Sequence, residues 1–313
     1  MLIRHETLDL GKSERYPRTH ESRRYAELST SNQATLLVSS LDRRGIVARL
    51  ASFMHERGIN IIQVDQSVDA EHGDFRMRMV IETEFGQTPG AQLEEELEAV
   101  ARDEGLKIRV NLSQAKPKVA ILCTKEPHCL QDLLQRHESG ELNCTVCVVV
   151  SNHGQLASIA DFFDIPFVHI PVTPDSKTAS EHELKKVLEE HSVDLIVLAR
   201  YMQILSADLV AEWTHRIINI HHSFLPAFAG ASPYRQAHER GVKLIGATAH
   251  YVDAELDGGP IIAQDVIACS HRDSITDLAR KGRDVERTTL ARAVRWHTEN
   301  RLMVQGDRVV VFG

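Results

Sequence analysis

Apolar and polar residues alternate along short stretches of the first third of the chain. In the clearest stretch, the apolar positions are Phe75, Met77, Met79 and Ile81. Side chains two apart on a strand share a face, so this stretch predicts an antiparallel strand with one face buried and the other in water. Apolar residues spaced three and four apart from Ile46 to Met54 instead predict a helix, whose apolar face is expected to include Val47.

The same two patterns continue to residue 112 and then change. A strand at 34–40 precedes this helix, a second helix is expected at about 89–104, and a closing strand follows at about 106–112. The order of elements is therefore βαββαβ, which predicts a ferredoxin-like α/β domain. Continuous apolar runs then follow, with helical segments between them, at 118–124, 145–151 and 194–199. Such runs predict an open, mostly parallel sheet that helices cover on both faces.

A polar stretch that contains proline, residues 113–117, separates the two patterns. We expect the chain to have four parts, which are a mobile N-terminal arm at 1–30, a smaller α/β domain at 31–113, a linker at 114–118 and a larger α/β domain at 119–313. Near its end, the larger domain shows a helical pattern at about 275–298. A turn sequence at 305–307 then lies between two apolar runs, which predicts a hairpin. We interpret this helix and hairpin as scaffold.

Composition narrows the class of partner. The 313 residues carry a formal net charge of -8, which argues against a broad nucleic-acid surface and favours a small-molecule ligand. The five cysteines are odd in number and we recognise no signal peptide, so we expect free thiols and a cytoplasmic protein. Cys144 and Cys147 form a CxxC, but strand alternation places them on opposite faces, which favours a structural role over a redox or zinc site. No apolar run approaches the roughly 18 residues of a membrane span.

An amide, an imidazole and a carboxylate fall at the end of a predicted strand and in a loop that can return to it. Asn219 and His221 lie two apart on the strand and share a face, and Asp257 lies in a later glycine-rich loop. Ligands of open α/β sheets bind beyond the carboxyl ends of the strands, where the first two side chains are expected. Taken singly, each residue has a structural explanation as a cap or a turn residue. Together they indicate acid–base chemistry at a carbonyl group.

Other polar residues near this group have two interpretations each. Thr248 and His250 share a face of the next predicted strand, where they either line the site or are satisfied polar groups of the core. His222 is either a second acid–base group or a packing residue, and strand alternation favours packing on the back face. The loop at 124–130, after the first apolar run, lacks both glycine-rich nucleotide-binding patterns, so we expect no nucleotide cofactor.

The smaller domain resembles the ACT regulatory family. The resemblance covers residues 34–112 and rests on the βαββαβ order, on Asp42-Arg-Arg-Gly45 at the first turn and on Gly58-Ile-Asn60 after the helix. It implies an amino-acid effector, such as glycine or methionine, and a homo-oligomer. The implied effector contacts are Asp42, Gly45 and Asn60. In the alternative, structural interpretation, Gly45 permits a tight turn, Asp42 caps the helix and the domain serves only dimerisation.

The larger domain resembles the folate-dependent formyltransferase family. The resemblance covers residues 118–267, and its motifs are Asn219-Ile-His221, Ser223-Phe-Leu-Pro226 and the later Asp257. It implies that Asn219, His221 and Asp257 act on the formyl group carried by N10 of tetrahydrofolate, and that Thr248 and His250 line the site. The segment 199–206 looks like the one that packs around the pterin. The substrate contacts implied there are Arg200, Tyr201, Met202, Gln203, Ile204 and Leu205.

The resemblance leaves two acceptors for the formyl group, water and an amine. Family members that formylate glycinamide ribonucleotide need a glycine-rich first loop for its phosphate, which residues 124–130 lack. Family members that act on tRNA have no leading ACT domain and usually carry a basic C-terminal domain. Water is therefore the expected acceptor, and the implied reaction is hydrolysis of 10-formyltetrahydrofolate to formate and tetrahydrofolate, which supplies formate for purine synthesis and balances folate pools. Transfer to an amine is the alternative.

A mechanism follows as a hypothesis for the three motif side chains. Asn219 would donate a hydrogen bond to the formyl oxygen as negative charge develops there, an effect of roughly 3 to 4 kcal/mol in other enzymes. His221 would protonate the leaving N10 nitrogen, and Asp257 would orient the imidazole, stabilise its charged form or hold the attacking water. We expect no metal and no other cofactor. The rival hypotheses are a metal-dependent hydrolase that uses histidines such as His153 and His169, and an amino-acid sensor that only binds folate.

Overall fold

The computed structural model describes residues 33–82, 90–112, 116–226 and 233–313. The predicted N-terminal arm lies outside these ranges, as does part of the predicted linker. The strands of the described residues form two separate sheets, one in each half of the sequence. No helix among these residues is both long and apolar enough to cross a bilayer. The predicted α/β fold class is confirmed, whereas the domain boundaries stay predictions.

The first sheet has four strands. The elements of this half, in chain order, are β1 (Gln33–Leu41), α1 (Ile46–Glu56), β2 (Ile61–Asp69), β3 (Asp74–Glu82), α2 (Gly90–Glu104) and β4 (Lys107–Leu112). The strands lie in the order β2-β3-β1-β4, and each neighbouring pair is antiparallel. The βαββαβ order that the apolar pattern predicts is thus confirmed.

Both helices pack on one face of this sheet and form an apolar core with it. Helix α1 buries the four residues Ile46, Leu50, Phe53 and Met54. Val47, which was expected on the same apolar face, is 36% exposed. The four buried positions are spaced by three and four, so they define a stripe whose edge passes Val47. Phe53, at the opposite edge of that stripe, is the residue that the sequence interpretation missed.

The other face of strand β3 is not in water, contrary to the expectation from the alternating pattern. On β3, Arg78 is 8% exposed and Val80 is 6% exposed. The guanidinium group of Arg78 donates to the backbone carbonyl oxygens of Asn300 and Glu299 at 3.0 and 3.1 Å. The C-terminal part of the chain therefore covers this face. A contact over more than two hundred residues cannot be inferred from a local pattern, which is why the prediction was wrong.

The second sheet has nine strands. The elements of this half are β5 (Lys118–Cys123), α3 (His128–Glu138), β6 (Thr145–Ser151), a 3₁₀ turn (Gly154–Leu156), α4 (Ala157–Phe162), β7 (Phe167–His169), α5 (Lys177–Glu190), β8 (Leu195–Ala199), α6 (Ala207–Glu212), β9 (Ile217–His221), α7 (Pro233–Arg240), β10 (Leu244–Tyr251), β11 (Ile261–Ala268), α8 (Ile275–Thr298), β12 (Leu302–Gln305) and β13 (Arg308–Val311). The strand order is β12-β13-β11-β10-β9-β8-β5-β6-β7.

Five adjacent strands, β7, β6, β5, β8 and β9, are parallel to one another, whereas β10 is antiparallel to both β9 and β11. The sheet is thus mostly parallel, as predicted. Helices α3 and α8 contribute to the apolar core on one face, and α5 and α6 contribute to the core on the other. Cys144 lies in the first core and Cys147 packs against the second, so the CxxC cysteines do face opposite ways. All five cysteines are free.

The final helix and hairpin do more than support the sheet. Helix α8 begins with a capping box between Ser274 and Asp277, which explains why its start matches the prediction. The hairpin of β12 and β13 contacts the first sheet, since the side chain of Gln305 hydrogen-bonds to Arg76 and Asp74. This part of the chain therefore joins the two halves, and its interpretation as scaffold is incomplete.

Candidate active site

Strands β9 and β10 bring four polar side chains together beside the end of the parallel strands. The two strands are antiparallel neighbours, with Thr248 opposite His221 and His250 opposite Asn219. Directly opposed residues on antiparallel strands have adjacent side chains on the same face of the sheet. The alternate residues of β9 are isoleucines that are buried in the apolar cores and fix the orientation of the strand. The shared faces that the sequence predicts are therefore present.

Asp257 reaches this group from the loop between β10 and β11. Its Oδ2 atom lies 3.2 Å from Nδ1 of His221, and its Oδ1 atom lies 3.7 Å from Nε2 of His250. The loop passes close to β10, because a Cβ added at Gly259 would lie 1.9 Å from the carbonyl oxygen of Tyr251. Only glycine permits so close an approach of two backbone segments. The glycine in the loop thus allows the carboxylate to return to the histidine.

The hydrogen bonds of His250 define its protonation and orient Asn219. Its Nδ1 atom lies 2.8 Å from the carbonyl oxygen of Tyr251, which can only accept, so Nδ1 carries the proton. Its Nε2 atom then accepts a hydrogen bond from Nδ2 of Asn219 at 3.2 Å. Burial lowers the pKa of His250, which keeps the ring neutral. His250 therefore fixes the direction of the Asn219 amide.

Asp257 orients the imidazole of His221 in the same way. The hydrogen bond with His221 outweighs the effect of burial and lowers the pKa of Asp257, so the carboxylate is ionised and Nδ1 of His221 must donate. The Nε2 atom of His221 is buried and has no hydrogen-bond partner among the described residues. A neutral imidazole with its proton on Nδ1 has a lone pair on Nε2. The ring is therefore arranged to take a proton from a molecule beside it.

A pocket of about 510 Å³ begins at these side chains. The segment 200–205 forms one wall and residues 252–257 form another, and the predicted substrate contacts from Arg200 to Leu205 all lie on the first wall. Met202 and Ile204 are 58% and 62% exposed. Apolar side chains that are exposed together in a concave surface are typical of a ligand site. Asn219, His221 and His250 line the same pocket.

Thr248 lies behind the pocket and is fully buried. Its hydroxyl donates to the carbonyl oxygen of Ser223 at 2.9 Å and accepts from the backbone N–H of Leu225 at 3.0 Å. The side chain of Gln264 donates to the same oxygen at 3.0 Å. The donor and both acceptor positions of the hydroxyl are thus occupied. This placement favours the structural interpretation of Thr248, as a residue that holds the turn after β9.

His222 lines the pocket, contrary to the expectation that it faces the back of the sheet. Strand β9 ends at His221, so the alternation of faces no longer applies at the next residue. The ring centroid of His222 lies 5.2 Å from that of His221 and 6.0 Å from that of Tyr234. Burial, and then the nearby charge of Arg200, lower the pKa of His222 to about 4. The ring is therefore neutral near pH 7.

A second carboxylate–histidine pair, which the sequence analysis missed, lies near His222. Glu286 on α8 is 1% exposed, and its Oε2 atom lies 2.8 Å from Nε2 of His128. Its Oε1 atom accepts a hydrogen bond from the hydroxyl of Tyr234 at 2.6 Å. The Nε atom of Arg200 lies 3.5 Å from Oε2. We call Glu286, His128, Tyr234 and Arg200 the Glu286 cluster.

The pattern of α8 contains a signal for this cluster. Glu286 falls four residues after Gly282 and four before Leu290, within the stripe of the helix that is otherwise apolar. Gly282 makes room for the cluster, because a Cβ there would lie 1.9 Å from the hydroxyl oxygen of Tyr234. Burial raises the pKa of Glu286, but the hydrogen bond with His128 and the charge of Arg200 outweigh it and hold this pKa below its usual range. Glu286 is therefore ionised.

Two groups among the described residues have the composition of a metal site. In the first, ligand atoms of His128, Cys129 and Glu286 lie within 4.8 Å of one another. Burial raises the pKa of the Cys129 thiol, and the cation of Arg200 already lies beside Glu286, so this group is poorly suited to a second cation. The other group is on the first domain and consists of Asp69, Glu71 and His72. Neither group includes a residue of the pocket wall.

The predicted effector contacts lie before and after α1. Gly45 precedes the helix with a φ of 94°, a conformation that favours glycine. The helix has no side-chain cap hydrogen bond, so the alternative in which Asp42 caps it is wrong. The side chain of Asn60 donates to that of Glu82 at 2.9 Å. Contact of an effector with these residues stays a prediction.

Comparison with known proteins relates both halves of the chain to described families. A family model described as formyl transferase matches residues 117–294, and one described as ACT domain matches residues 34–102. The formyltetrahydrofolate deformylase of Synechocystis sp. is 48% identical over 279 residues, which cover 89% of this chain and 98% of that protein. The formyltetrahydrofolate deformylase of Bacillus subtilis is 43% identical over 282 residues, which cover 90% of this chain and 94% of that protein.

Solved structures show the same relationship. A formyltetrahydrofolate deformylase from Pseudomonas syringae has a TM-score of 0.89 and 42% identity, and covers 94% of this chain and 99% of its own. A glycinamide ribonucleotide transformylase from Symbiobacterium toebii has a TM-score of 0.60 and 32% identity, and covers 63% of this chain and 94% of its own. The first likeness thus extends over most of the chain, whereas the second is limited to less than two thirds of it. Both resemblances inferred from the sequence are confirmed.

Proposed function

We infer that Asn219, His221 and Asp257 carry out the reaction of this chain, which belongs to the formyltetrahydrofolate deformylase family and hydrolyses 10-formyltetrahydrofolate to formate and tetrahydrofolate. The main support for these roles is the Nε2 atom of His221, which is buried at the pocket without a hydrogen-bond partner in the described part of the chain while Asp257 holds the opposite nitrogen. An oriented base beside an amide donor is what the hydrolysis of a formamide requires. Transfer of the formyl group to an amine is not favoured.

In the proposed first step, Nε2 of His221 takes a proton from water as the water oxygen bonds to the formyl carbon. The ionised Asp257 stabilises the imidazolium that forms. In the second step, the bond between the formyl carbon and N10 breaks, and the imidazolium gives its proton to N10. The other proton of the water is released when formic acid ionises. His221 thus acts first as base and then as acid, and Asp257 acts through it.

We assign to Asn219 the stabilisation of the negative charge that develops on the formyl oxygen. One hydrogen of its amide nitrogen points to Nε2 of His250, so the direction of the second hydrogen is fixed as well. A donor that is held in place before the reaction stabilises an oxyanion by roughly 3 to 4 kcal/mol. His250 is a positioning residue in this arrangement, because its neutral ring accepts from Asn219 and needs no contact with the substrate.

The proposed folate site is the pocket between segments 200–205 and 252–257. Its volume of about 510 Å³ is in the range of small-molecule sites. The exposed side chains of Met202 and Ile204 offer an apolar surface for the flat pterin ring. His221 lines this pocket, so the formyl group of a folate bound in the proposed way lies within reach of the proposed base.

Formate release with water as the only acceptor tests these roles. We expect the wild-type chain to produce formate and tetrahydrofolate in equal amounts. His221→Gln should lower formate release by roughly 10³-fold or more, because the base is removed while the pocket is kept. His169→Gln, at the exposed end of β7, is the matched control and should keep the wild-type rate. A His221→Gln enzyme with normal turnover would exclude His221 from the chemistry.

We propose that the reaction needs no metal and no organic cofactor. The base, the residue that orients it and the oxyanion donor are all side chains that already contact one another. The ring nitrogens of His221 and His250 are engaged by Asp257, Asn219 and a backbone carbonyl, except Nε2 of His221, which has no hydrogen-bond partner among the described residues. Dialysis against excess chelator should leave the rate of formate release unchanged. Activity that disappears and returns with a divalent cation would contradict this proposal.

We propose an amino acid, glycine or methionine, as the effector of the ACT domain. The support is the match of residues 34–102 to the ACT family and the left-handed turn at Gly45, where open space surrounds the backbone. Titration of each amino acid against the rate of formate release tests the proposal. Asp42→Ala should weaken the response to the effector without changing the basal rate. A response that is the same in this variant would remove Asp42 from the effector site.

We also propose a homo-oligomer in the cytoplasm. Strand β2 lies at an edge of the first sheet, and its exposed apolar side chains Ile62, Val64 and Val68 suit association with another copy. The five free cysteines suit a reducing compartment. Light scattering of the purified chain measures the assembly. A Val64→Lys variant should shift it towards the monomer if β2 is at the interface.

A further inference from the structure

The Glu286 cluster lies at the crevice where an open α/β sheet receives a ligand. Strand β5 lies between β6 and β8, so the strand order changes direction there and the loops after β5 and β8 diverge. Arg200 directly follows β8, and His128 begins the helix that follows β5. The hydroxyl of Thr124, after β5, accepts a hydrogen bond from the N–H of Met202 at 2.9 Å and joins the two loops.

Side chains of the cluster fill this crevice. Those of Glu286, His128 and Arg200 are only 1%, 10% and 14% exposed. They come from helix α8, helix α3 and the loop after β8, and Tyr234 of α7 completes the contacts with its hydrogen bond to Glu286 at 2.6 Å. Four separate elements thus contribute one polar side chain each.

The cluster is an ion pair that stability alone does not explain. Replacing a buried ion pair by apolar residues is often neutral or stabilising, so its presence is weak evidence for a role in folding. The Nε and Nη1 atoms of Arg200 are buried without a hydrogen-bond partner among the described residues. Arg200 also has a φ of 62°, an unfavourable conformation for a residue with a side chain. Unsatisfied donors and backbone strain next to an active site indicate a functional constraint.

The cluster reaches the catalytic site through His222. The ring of His222 contacts that of His221 on one side and that of Tyr234 on the other, with centroid separations of 5.2 and 6.0 Å. Folate occupies the pocket on the side of segments 200–205 and 252–257. A nucleophile must pass beside Nε2 of His221, which removes its proton. The nucleophile therefore enters from the side of His222, and the size of the nucleophile is limited there.

We propose that the Glu286 cluster and His222 together exclude amine acceptors and leave water as the nucleophile. The proposal rests on the hydrolytic roles of Asn219, His221 and Asp257. Amines are stronger nucleophiles than water, so a hydrolase of activated formyl groups needs a steric barrier against them. The glycinamide ribonucleotide transformylases that share this fold take, by their name, an acceptor far larger than water. In this chain, polar side chains occupy the crevice at the switch point instead.

An opened crevice changes the product and leaves the formyl donor the same. The nitrogen of a primary amine bonds to the formyl carbon, and the bond from that carbon to N10 breaks. The proton that the amine loses passes through His221 to N10. The products are an N-formyl amine and tetrahydrofolate in place of formate and tetrahydrofolate.

The partition between these products tests the proposal. Wild-type and variant full-length chains are incubated with 10-formyltetrahydrofolate and glycinamide, and formate and N-formylglycinamide are quantified by NMR. Tyr234→Ala removes the ring that closes the crevice, and His222→Ala removes the wall between the crevice and the site. In both variants we expect the ratio of formylglycinamide to formate to rise by about tenfold or more over the wild-type ratio. Tyr234→Phe keeps the ring and should keep the wild-type ratio.

Each outcome decides the matter. An unchanged ratio in folded Tyr234→Ala and His222→Ala would overturn the proposal, as would rapid formylation of glycinamide by the wild-type chain. If Tyr234→Ala does not fold by circular dichroism, His222→Ala carries the test alone, because its ring is part of the open pocket wall. An equal rise in Tyr234→Phe would also count against a steric barrier. Absence of formate from the wild-type chain contradicts the hydrolytic function, which this assay measures separately.

Discussion

Two carboxylate–histidine pairs lie close together in this molecule and have different surroundings. In one, Asp257 holds His221 at 3.2 Å, and in the other, Glu286 holds His128 at 2.8 Å. Both carboxylates have lowered pKa values and are ionised. The side chain of Asp257 is 17% exposed in a loop at the pocket, whereas that of Glu286 is 1% exposed on a helix.

The difference shows that such a pair does not by itself make an active site. The second nitrogen of His221 lines a pocket with an amide donor beside it, so a proton can move to and from a substrate. The second nitrogen of His128 is buried, has no hydrogen-bond partner among the described residues and lies 3.8 Å from a carboxylate oxygen of Glu126. A cation and a phenol complete the contacts of Glu286. We call Asp257 and His221 the open pair, because His221 faces this pocket, and Glu286 and His128 the closed pair, because the carboxylate is 1% exposed and engaged by protein side chains. Access to the substrate pocket therefore distinguishes the two pairs.

The largest expected effect comes from the open pair. Asp257→Asn should lower turnover by roughly 10³- to 10⁴-fold, because an amide no longer holds the proton of His221 on Nδ1. Folate binding should stay close to wild type, since the pocket keeps its shape. Single-turnover formate release measures the first quantity, and equilibrium fluorescence titration with tetrahydrofolate measures the second. Asp307→Asn, in the exposed turn of the last hairpin, serves as the control; normal hydrolysis by Asp257→Asn would remove Asp257 from the mechanism.

A substitution in the closed pair should mainly lower the stability of the protein. Glu286→Gln leaves Arg200 without its buried counter-charge, and loss of one partner of such a pair costs roughly 3 to 5 kcal/mol. We expect the free energy of unfolding, measured in urea, to fall by that order while turnover per folded molecule falls far less than in Asp257→Asn. Glu190→Gln, on the exposed side of α5, should change stability by no more than about 0.5 kcal/mol. A large loss of turnover with little loss of stability would instead make Glu286 part of the chemistry.

The histidine between the two pairs predicts a pH dependence. The pKa of His222 falls from 6.5 to about 4 on folding, so the unfolded chain binds a proton at a pH where the folded chain does not. This contribution is unfavourable to the folded state at low pH, and stability should therefore decrease as the pH falls from 6.5 towards 4. Urea midpoints measured at several pH values in this range give the slope. In His222→Gln the slope should be smaller; an identical slope would exclude His222 as its source.

The smallest effect concerns the turn that follows β9. Thr248→Val keeps the shape of the side chain but removes the hydroxyl that three hydrogen bonds use. Buried groups left without a partner cost about 1 to 3 kcal/mol, so the free energy of unfolding should fall by that order. Thr178→Val, at an exposed position of α5, controls for the exchange. An increase in KM without loss of stability would restore Thr248 as a substrate contact.

The parts of the site that follow a local rule were predictable from the sequence. The period of two on a strand is enough to place Asn219 beside His221, and the antiparallel neighbour brings His250 to the same face. The return of Asp257 depends on how a glycine-rich loop passes over β10; the sequence showed that the loop could return, and the family resemblance indicated that it does. His222 was misplaced because the strand ends one residue earlier, which the apolar pattern does not show.

The parts that depend on distant segments were not predictable in the same way. The local pattern places Arg78 on the solvent-exposed face of a strand, whereas in the structure the end of the chain covers that face. The Glu286 cluster needs four elements whose relative positions no local pattern contains. The sequence did contain one signal for the cluster. Glu286 lies within an apolar helical stripe, and a buried glutamate needs a polar partner. Such a residue indicates that a partner exists and does not identify it.

Arg78 also gives the long helix α8 an unusual dependence on the first domain. The helix ends at Thr298, and the guanidinium group of Arg78 donates to the next two carbonyl oxygens of the chain, those of Glu299 and Asn300. The start of α8 is capped by its own chain, at Ser274. A side chain of the first domain thus holds the segment that directly follows the helix carrying Glu286. A shift of the first domain against its neighbour would therefore act directly on the end of α8, the helix that places Glu286 beside His128.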